Sequence, residues 1–539
     1  MTQTTDANNQ NPLTIGLALS GGGYRAAGFH LGVLSYLDRV GLLSQLKMLS
    51  TVSGGTFTGA KYILSLAEKQ NFSEFYGEYS RLLKTTNLIK LGLEKLSKQT
   101  NGDTSKRQDL ITSVADVYAE TFFKKENGEA YLFGEILEAE ILVEEVTFNA
   151  TEFRSGIAFR FQSSASGRIG NGKISIPKAA ASKIRIADIV AASSCFPGGF
   201  EPLAFPDDFH WIENKIPTEI TERVAKTGQG AIALMDGGVF DNQGIGSILL
   251  AEKRKSPGKD DSKLDMFIIS DVDQKLDSLF EFPEKIRQNI FGKLTLNFVA
   301  KSLNYLTGFL VLSWLAMGFK ITEEIVTKNF GWIDGLVYLF PVLLLIAISL
   351  LNIKLLKARQ FIEAKVLPEV PQVGKLAWND LKKITINQLL NGLNLRLSSL
   401  VAMTSFVFMK QIRRMGYNAI YEGEEAERII ANYIYDLKQG NRDAEQFLAK
   451  FPELSKPSPE LQQIIDDSSE VPTTLWFNDQ KELPNLIICG QASICYNLMR
   501  YIARRKDKDP NFHTSEMNSL WDVLVQDWNS LGQDPHAFL

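Results

Sequence analysis

A serine on a tight strand-to-helix turn and an aspartate closing an apolar strand are the side chains here best set for nucleophilic chemistry. In Thr51-Val52-Ser53-Gly54-Gly55 the serine follows a short strand from Lys47 and precedes a helix reaching about residue 68. Such a turn exposes a hydroxyl at the top of a sheet and lets the next N–H assist a developing oxyanion. A serine that only caps the helix would look the same. The hydroxyl needs a base, and histidines are scarce. His30 falls within a helix, while His210, His513 and His536 sit in polar or terminal contexts, so a Ser-His-Asp triad is unattractive. Asp236 is better placed, in Met235-Asp236-Gly237-Gly238 at the end of the apolar run 231–235, where two glycines let another loop approach its carboxylate. An aspartate that merely starts a turn is the plain alternative.

A third segment, Ser20-Gly21-Gly22-Gly23-Tyr24-Arg25, puts three glycines between the strand 14–20 and a helix over 26–39. With no Cβ in the way, backbone N–H groups there can turn toward an anion and build an oxyanion hole. A tight turn or a nucleotide loop would also use glycines, but neither a Gly-Lys-Ser/Thr sequence nor GxGxxG spacing is present.

The elements that must hold these residues repeat one pattern, strand, glycine turn, helix, at 14–39 and again at 47–68. Residues 141–149 and 157–164 read as strands, about 185–194 as a helix, and 231–236 and 265–271 as further strands, each of the last two ending in Asp. Through about residue 275 this describes one α/β domain. Two charge-free runs then follow, 302–319 and 335–353. Eighteen residues of helix rise roughly 27 Å, enough for a bilayer core, so the expectation is a transmembrane helical hairpin, with a pair of buried core helices as the alternative. Lys285, Arg287, Lys293 and Lys301 precede the first run, Lys354, Lys357, Arg359 and Lys365 follow the second, and only Lys320 and Lys328 lie between. That bias expects two spans with the catalytic domain cytoplasmic. The stretch 396–414 is apolar on one side and basic on the other, suited to packing on the α/β domain with solvated charges or to lying on anionic lipid. The domains expected are a flexible N-terminus (1–13), a catalytic domain (14–300), the hairpin (301–355) and a helical C-terminal region packing on the catalytic domain (356–539).

With 45% hydrophobic and 22% charged residues and a net charge of -4, the chain has the composition of a folded protein and lacks the basic excess a nucleic-acid partner requires. Its three cysteines, Cys195, Cys489 and Cys495, form no CxxC pair, which argues against a zinc site or a disulfide framework. The polar N-terminus lacks a secretory signal.

Together, the GGGxR loop, the serine elbow and the Asp-Gly-Gly segment, in that order, resemble the patatin-like phospholipase family over residues 14–275. Ala192-Ser193-Ser194-Cys195-Phe196-Pro197, followed by Phe200 and Pro202, is similar to the family's helix-and-loop segment between serine and aspartate. The resemblance implies a three-layer α/β domain with a mostly parallel central sheet and a Ser53–Asp236 dyad working through an acyl-enzyme, with no metal or cofactor. It further implies oxyanion donors among Gly21, Gly22, Gly23 and Gly54, and an Arg25 that orients the loop or meets a lipid phosphate. The implied partners are a membrane phospholipid or lysophospholipid and its bilayer. One position departs from the family pattern, because Thr51 stands where the GxSxG elbow has its first glycine. A catalytically impaired membrane scaffold and an acyltransferase are the competing functions.

Overall fold

The computed structural model describes the chain except for residues 1–12, 99–106, 229, 256–262, 275–277, 285–290, 328–330, 332–338, 341, 351–352, 355–356, 358–382, 422–423, 439–442 and 510–514. The expected flexible N-terminus lies almost wholly outside the described residues. Two compact units result, Met1–Asp277 with Thr404–Leu539, and Ser278–Met403.

The first unit is built on a ten-stranded sheet. Its strands are β1 (Ile15–Leu19), β2 (Leu46–Val52), β3 (Glu145–Glu152), β4 (Ile157–Gln162), β5 (Ile169–Gly170), β6 (Ser175–Ile176), β7 (Leu203–Phe205), β8 (Ile232–Asp236), β9 (Met266–Asp271) and β10 (Ile429–Tyr433). The order β10-β9-β1-β2-β3 is parallel throughout. These strands are nearly continuous apolar runs, as expected where both sheet faces are covered.

The expectation of a mostly parallel sheet is corrected: the sheet is mixed. Beyond β3 every pairing, β3 with β4, β4 with β5, β5 with β6, β3 with β8 and β7 with β8, is antiparallel. The physical reason is connection length. β3 runs on to Glu152, which pairs with Ile157 across a turn of Phe153–Gly156 in which Gly156 has φ 66°. So short a link permits only an antiparallel neighbour.

Helices cover the sheet: α1 (Gly23–Arg39), α2 (Gly54–Ala67), α3 (Ile186–Ser194), α4 (Ile245–Lys255), and, from the C-terminal region, α7 (Phe408–Tyr421), α8 (Glu482–Lys508) and α9 (Ser515–Gln533). In the second unit lie α5 (Leu296–Val326) and α6 (Ile386–Ala402). The C-terminal region is helical as expected and also contributes the edge strand β10. It packs on α1 at a glycine crossing, where a Cβ at Gly32 would meet the Ile487 carbonyl oxygen at 2.1 Å and one at Gly490 would meet that of Phe29 at 2.2 Å. Arg39 closes the contact with a two-pronged bond to Asp527, at 2.8 and 2.9 Å. Gly490→Val is therefore expected to destabilise the first unit by about 1–3 kcal/mol, the usual penalty of overpacking. A urea midpoint equal to wild type would contradict this crossing.

The expected hairpin is not shown among the described residues. The run 302–319 lies inside α5, which continues through Lys320, Glu323 and Glu324 to Val326, and the run 335–353 falls partly outside the described residues. Among the described residues the helix long and apolar enough to cross a membrane is Ile386–Tyr421, with mean hydropathy 1.3 and only 6% of its most apolar window buried. Its last part is committed elsewhere. In α7, Met409, Tyr417 and Ile420 are buried, and Lys410 and Arg413 pair with Asp273. The exposed apolar length is therefore residues 386–407. The sequence reading of 396–414 as packing on the α/β domain holds for α7, but Lys410 and Arg413 are paired rather than solvated. The signal for this was the Asp271-Val272-Asp273 run that closes β9.

Candidate active site

Ser53 sits between β2 and α2 with φ 50° and ψ -120°, a conformation that costs a non-glycine residue on the order of 1–3 kcal/mol and persists only where the surroundings impose it. Several contacts impose it. The Ser53 N–H donates to Ser193 Oγ at 3.0 Å, and Ser193 in turn donates to the Asn149 carbonyl at 2.6 Å. The Ser53 carbonyl accepts from Phe57 N–H at 3.1 Å, opening α2. Close packing does the rest, since a Cβ at Gly54 would lie 2.2 Å from the Gly23 carbonyl oxygen.

The mixed sheet brings the aspartate to this serine. β4 occupies one edge of β3, so β2 and β8 must share the other. β2 pairs with β3 up to Val52↔Asn149, and β8, running the opposite way, ends its pairing at Asp236↔Ala150. The two strands thus abut head to head on adjacent residues of β3, and the side chains that follow and close them, Ser53 and Asp236, meet. Asp236 is 2% exposed and Ser53 8%. Burial raises the Asp236 carboxyl to about 6, against hydrogen bonds from the Ser53 hydroxyl and the Gly238 N–H. The Gly238 bond is 2.7 Å. A carboxyl of that acidity is ionised at neutral pH yet basic enough to take a proton.

Among the glycines the structure separates roles. Gly22 and Gly23, at φ 153° and 58°, turn the chain into α1 in a region a Cβ disfavours. No hydrogen-bond partner is found for the N–H of Gly22, Gly23 or Gly54 among the described residues, which leaves them able to meet an anion beside Ser53. Gly21 is corrected as an oxyanion donor, because its N–H donates to the Asn242 carbonyl at 3.0 Å. The neighbouring Tyr24 N–H is likewise engaged, by the Thr474 carbonyl at 2.8 Å.

Arg25 is 4% exposed. Its Nη1 donates to the Val471 carbonyl at 2.9 Å. Burial lowers its guanidinium to about 10, with the Arg413 charge acting in the same sense and Asp273 and Asp271 opposing. That burial fits loop orientation and leaves little access for a lipid phosphate. His30 is buried with both ring nitrogens bonded, to Ser270 Oγ at 2.8 Å and the Ser20 carbonyl at 3.0 Å, and burial lowers it to about 4. It is therefore neutral and occupied. His210 lies against Asp116 at 3.3 Å, and His513 is outside the described residues. The three cysteines are buried and unbridged, and no cluster of metal-ligating side chains occurs among the described residues.

Thr51 is accommodated rather than intrusive. Its methyl fills the space at Gly59, where a Cβ would lie 2.5 Å from Thr51 Cγ2, and its hydroxyl is 2.9 Å from that of Thr56. Thr51→Gly should accordingly lower stability by about 1–2 kcal/mol through the lost methyl and hydrogen bond, with ester turnover within about tenfold of wild type. A gain above tenfold would mean that Thr51 impairs the elbow.

Sequence reading missed Asn242 and Arg413. With its amide oriented to satisfy its neighbours, Asn242 Oδ1 accepts from Arg413 Nε at 3.1 Å and also from Nη2. The amide nitrogen then faces Gly21 and Gly238. A Cβ at Gly21 would be 2.5 Å from it and 3.0 Å from Ser53 Cβ, and a Cβ at Gly238 would be 2.3 Å from it and 3.0 Å from Asp236 Oδ1. An asparagine six residues after the aspartate was the available signal, but nothing in the sequence tied it to an arginine 171 residues further on.

Residues 17–249, the segment that holds Ser53 and Asp236, match the model of the patatin-like phospholipase family. Solved structures that resemble the chain include human GIVD cytosolic phospholipase A2, 13% identical over 48% of this chain and 43% of that one, with TM-score 0.31. The same human enzyme in complex with methyl gamma-linolenyl fluorophosphonate is 18% identical over 28% of this chain and 23% of that one, with TM-score 0.22. VipD from Legionella pneumophila is 12% identical over 98% of this chain and 88% of that one, with TM-score 0.24. The chain spans less than half the length of the human enzyme chains it matches. Among curated proteins no match is found.

Proposed function

We propose that the chain is a membrane-associated serine lipid acyl hydrolase of phospholipase or lysophospholipase type. The observation that carries the reading is the abutment of β2 and β8, where Val52 and Asp236 pair with adjacent residues of β3 and Ser53 follows Val52, within a segment that matches the patatin-like phospholipase model. Asp236 takes the proton of Ser53 as its Oγ attacks the ester carbonyl, and the oxyanion is met by N–H groups of Gly22, Gly23 and Gly54. Collapse expels the alcohol, protonated by Asp236, and leaves an acyl-serine. Water, deprotonated by Asp236, then releases the fatty acid. An alcohol in place of water would make the same intermediate an acyltransferase's. The lipid surface is met by exposed apolar side chains of α5 and residues 386–407, among them Phe309, Leu312, Trp314, Leu397 and Leu400.

A serine-directed fluorophosphonate carrying a fatty chain tests the nucleophile. Peptide mapping by mass spectrometry is expected to find one adduct, on Ser53, and none in Ser53→Ala. An adduct on a different serine, or none on wild type, would overturn the assignment.

A further inference from the structure

Resting on that reading of the dyad, we propose that Asn242 is a positioning residue for Asp236, and that Arg413, reaching in from α7, aims it. The Asn242 oxygen is fixed by the Arg413 fork. Arg413 is itself held by Asp271, 3.4 Å from its Nε, and by Asp273. Tyr417 on the same helix, at 3.2 Å, and Gln243, at 3.4 Å, also bond Asp271. With the oxygen so committed, the amide can present only N–H groups to the corner bounded by Gly21, Gly238, Ser53 and Asp236. Those two glycines are the residues whose missing Cβ atoms leave it room. The Asn242 backbone carbonyl binds the Gly21 N–H. One residue therefore ties the glycine loop to the aspartate's segment and adds N–H groups to the corner where the carboxylate already accepts from the Gly238 N–H and the Ser53 hydroxyl. A carboxylate held this way keeps its free lone pair toward Ser53.

Two substitutions of one shape separate positioning from packing. Asn242→Asp pairs with Arg413 and fills the same volume, but offers an acceptor in place of the donor. Asn242→Leu offers neither. On a soluble short-chain ester, each is expected to lower kcat by at least about thirtyfold with KM within about threefold, while far-UV circular dichroism and the thermal midpoint of Asn242→Asp stay near wild type. Arg413→Lys retains the charge beside Asp271 and Asp273 without the fork, so it should fall in the same direction. Combined with Asn242→Leu it should cost nothing further, because it acts only through Asn242. If Ser53→Ala is inactive and both Asn242 variants keep more than a third of wild-type kcat, Asn242 only packs and the inference is overturned while the dyad stands. If Ser53→Ala is as active as wild type, the dyad itself is wrong and the inference falls with it.

Discussion

Asp236→Asn is expected to lower ester turnover by roughly 10²–10⁴, the range of a positioned general base, and Ser53→Ala by at least as much. Both variants should retain the wild-type circular dichroism spectrum, since neither side chain bridges layers of the fold. The double variant should be no slower than either single one, because the two groups act on the same proton. Turnover of Asp236→Asn above about a tenth of wild type would show that another group accepts the proton. Among the described residues His30 offers no substitute, as both its nitrogens are bonded.

The second large effect is on pH. With Asp236 raised to about 6 by burial, kcat/KM should climb about tenfold per pH unit below 6 and level off above it, as the base becomes ionised. Tyr118 and Cys195 also face this carboxyl, and both are raised by burial, so they stay neutral through that range. The same shift has a thermodynamic consequence of opposite sense. A carboxyl raised from 3.8 to about 6 binds its proton more tightly folded than unfolded. Its contribution to stability is therefore fully present below about pH 4 and is lost as pH rises through 6. At about 1.36 kcal/mol per unit the loss is on the order of 2–3 kcal/mol at neutral pH. Asp236→Asn, which has no charge to bury, should consequently be more stable than wild type at pH 7.5 and gain little at pH 4. Equal urea midpoints at both pH values would contradict a buried, ionised base.

Much of the site was legible because it lies in short segments whose local pattern is decisive. The glycines after β1, the serine after β2 and the aspartate at the end of β8 each sit where an apolar run stops, and a run of five to seven residues followed by glycine reads clearly as strand and turn. What could not be read is pairing. Direction in the sheet depended on a four-residue turn before Ile157, and a difference of three residues in where β3 ends hid it. That same direction is what sets β8 head to head with β2, so the proximity of Ser53 to Asp236 was inferred from motif order alone. Donor assignment within the glycine loop failed at Gly21 for a related reason, because its partner, Asn242, lies on a segment distant in sequence. Composition singled out the charge-free runs 302–319 and 335–353 as a hairpin, but marked neither the apolar helix from Ile386 nor the residues α7 would bury. Ion pairs with Asp271 and Asp273 decide that, and hydropathy does not register them.

The most direct test is made on lipid. Liposomes of defined phosphatidylcholine and phosphatidylglycerol, incubated with wild type and with Ser53→Ala, are extracted and their lipids weighed by mass spectrometry. Free fatty acid and lysophospholipid or its deacylated product are expected to accumulate with wild type only. Fatty-acid release that is equal for the two proteins, or absent from both while wild type is folded and liposome-bound, would contradict it.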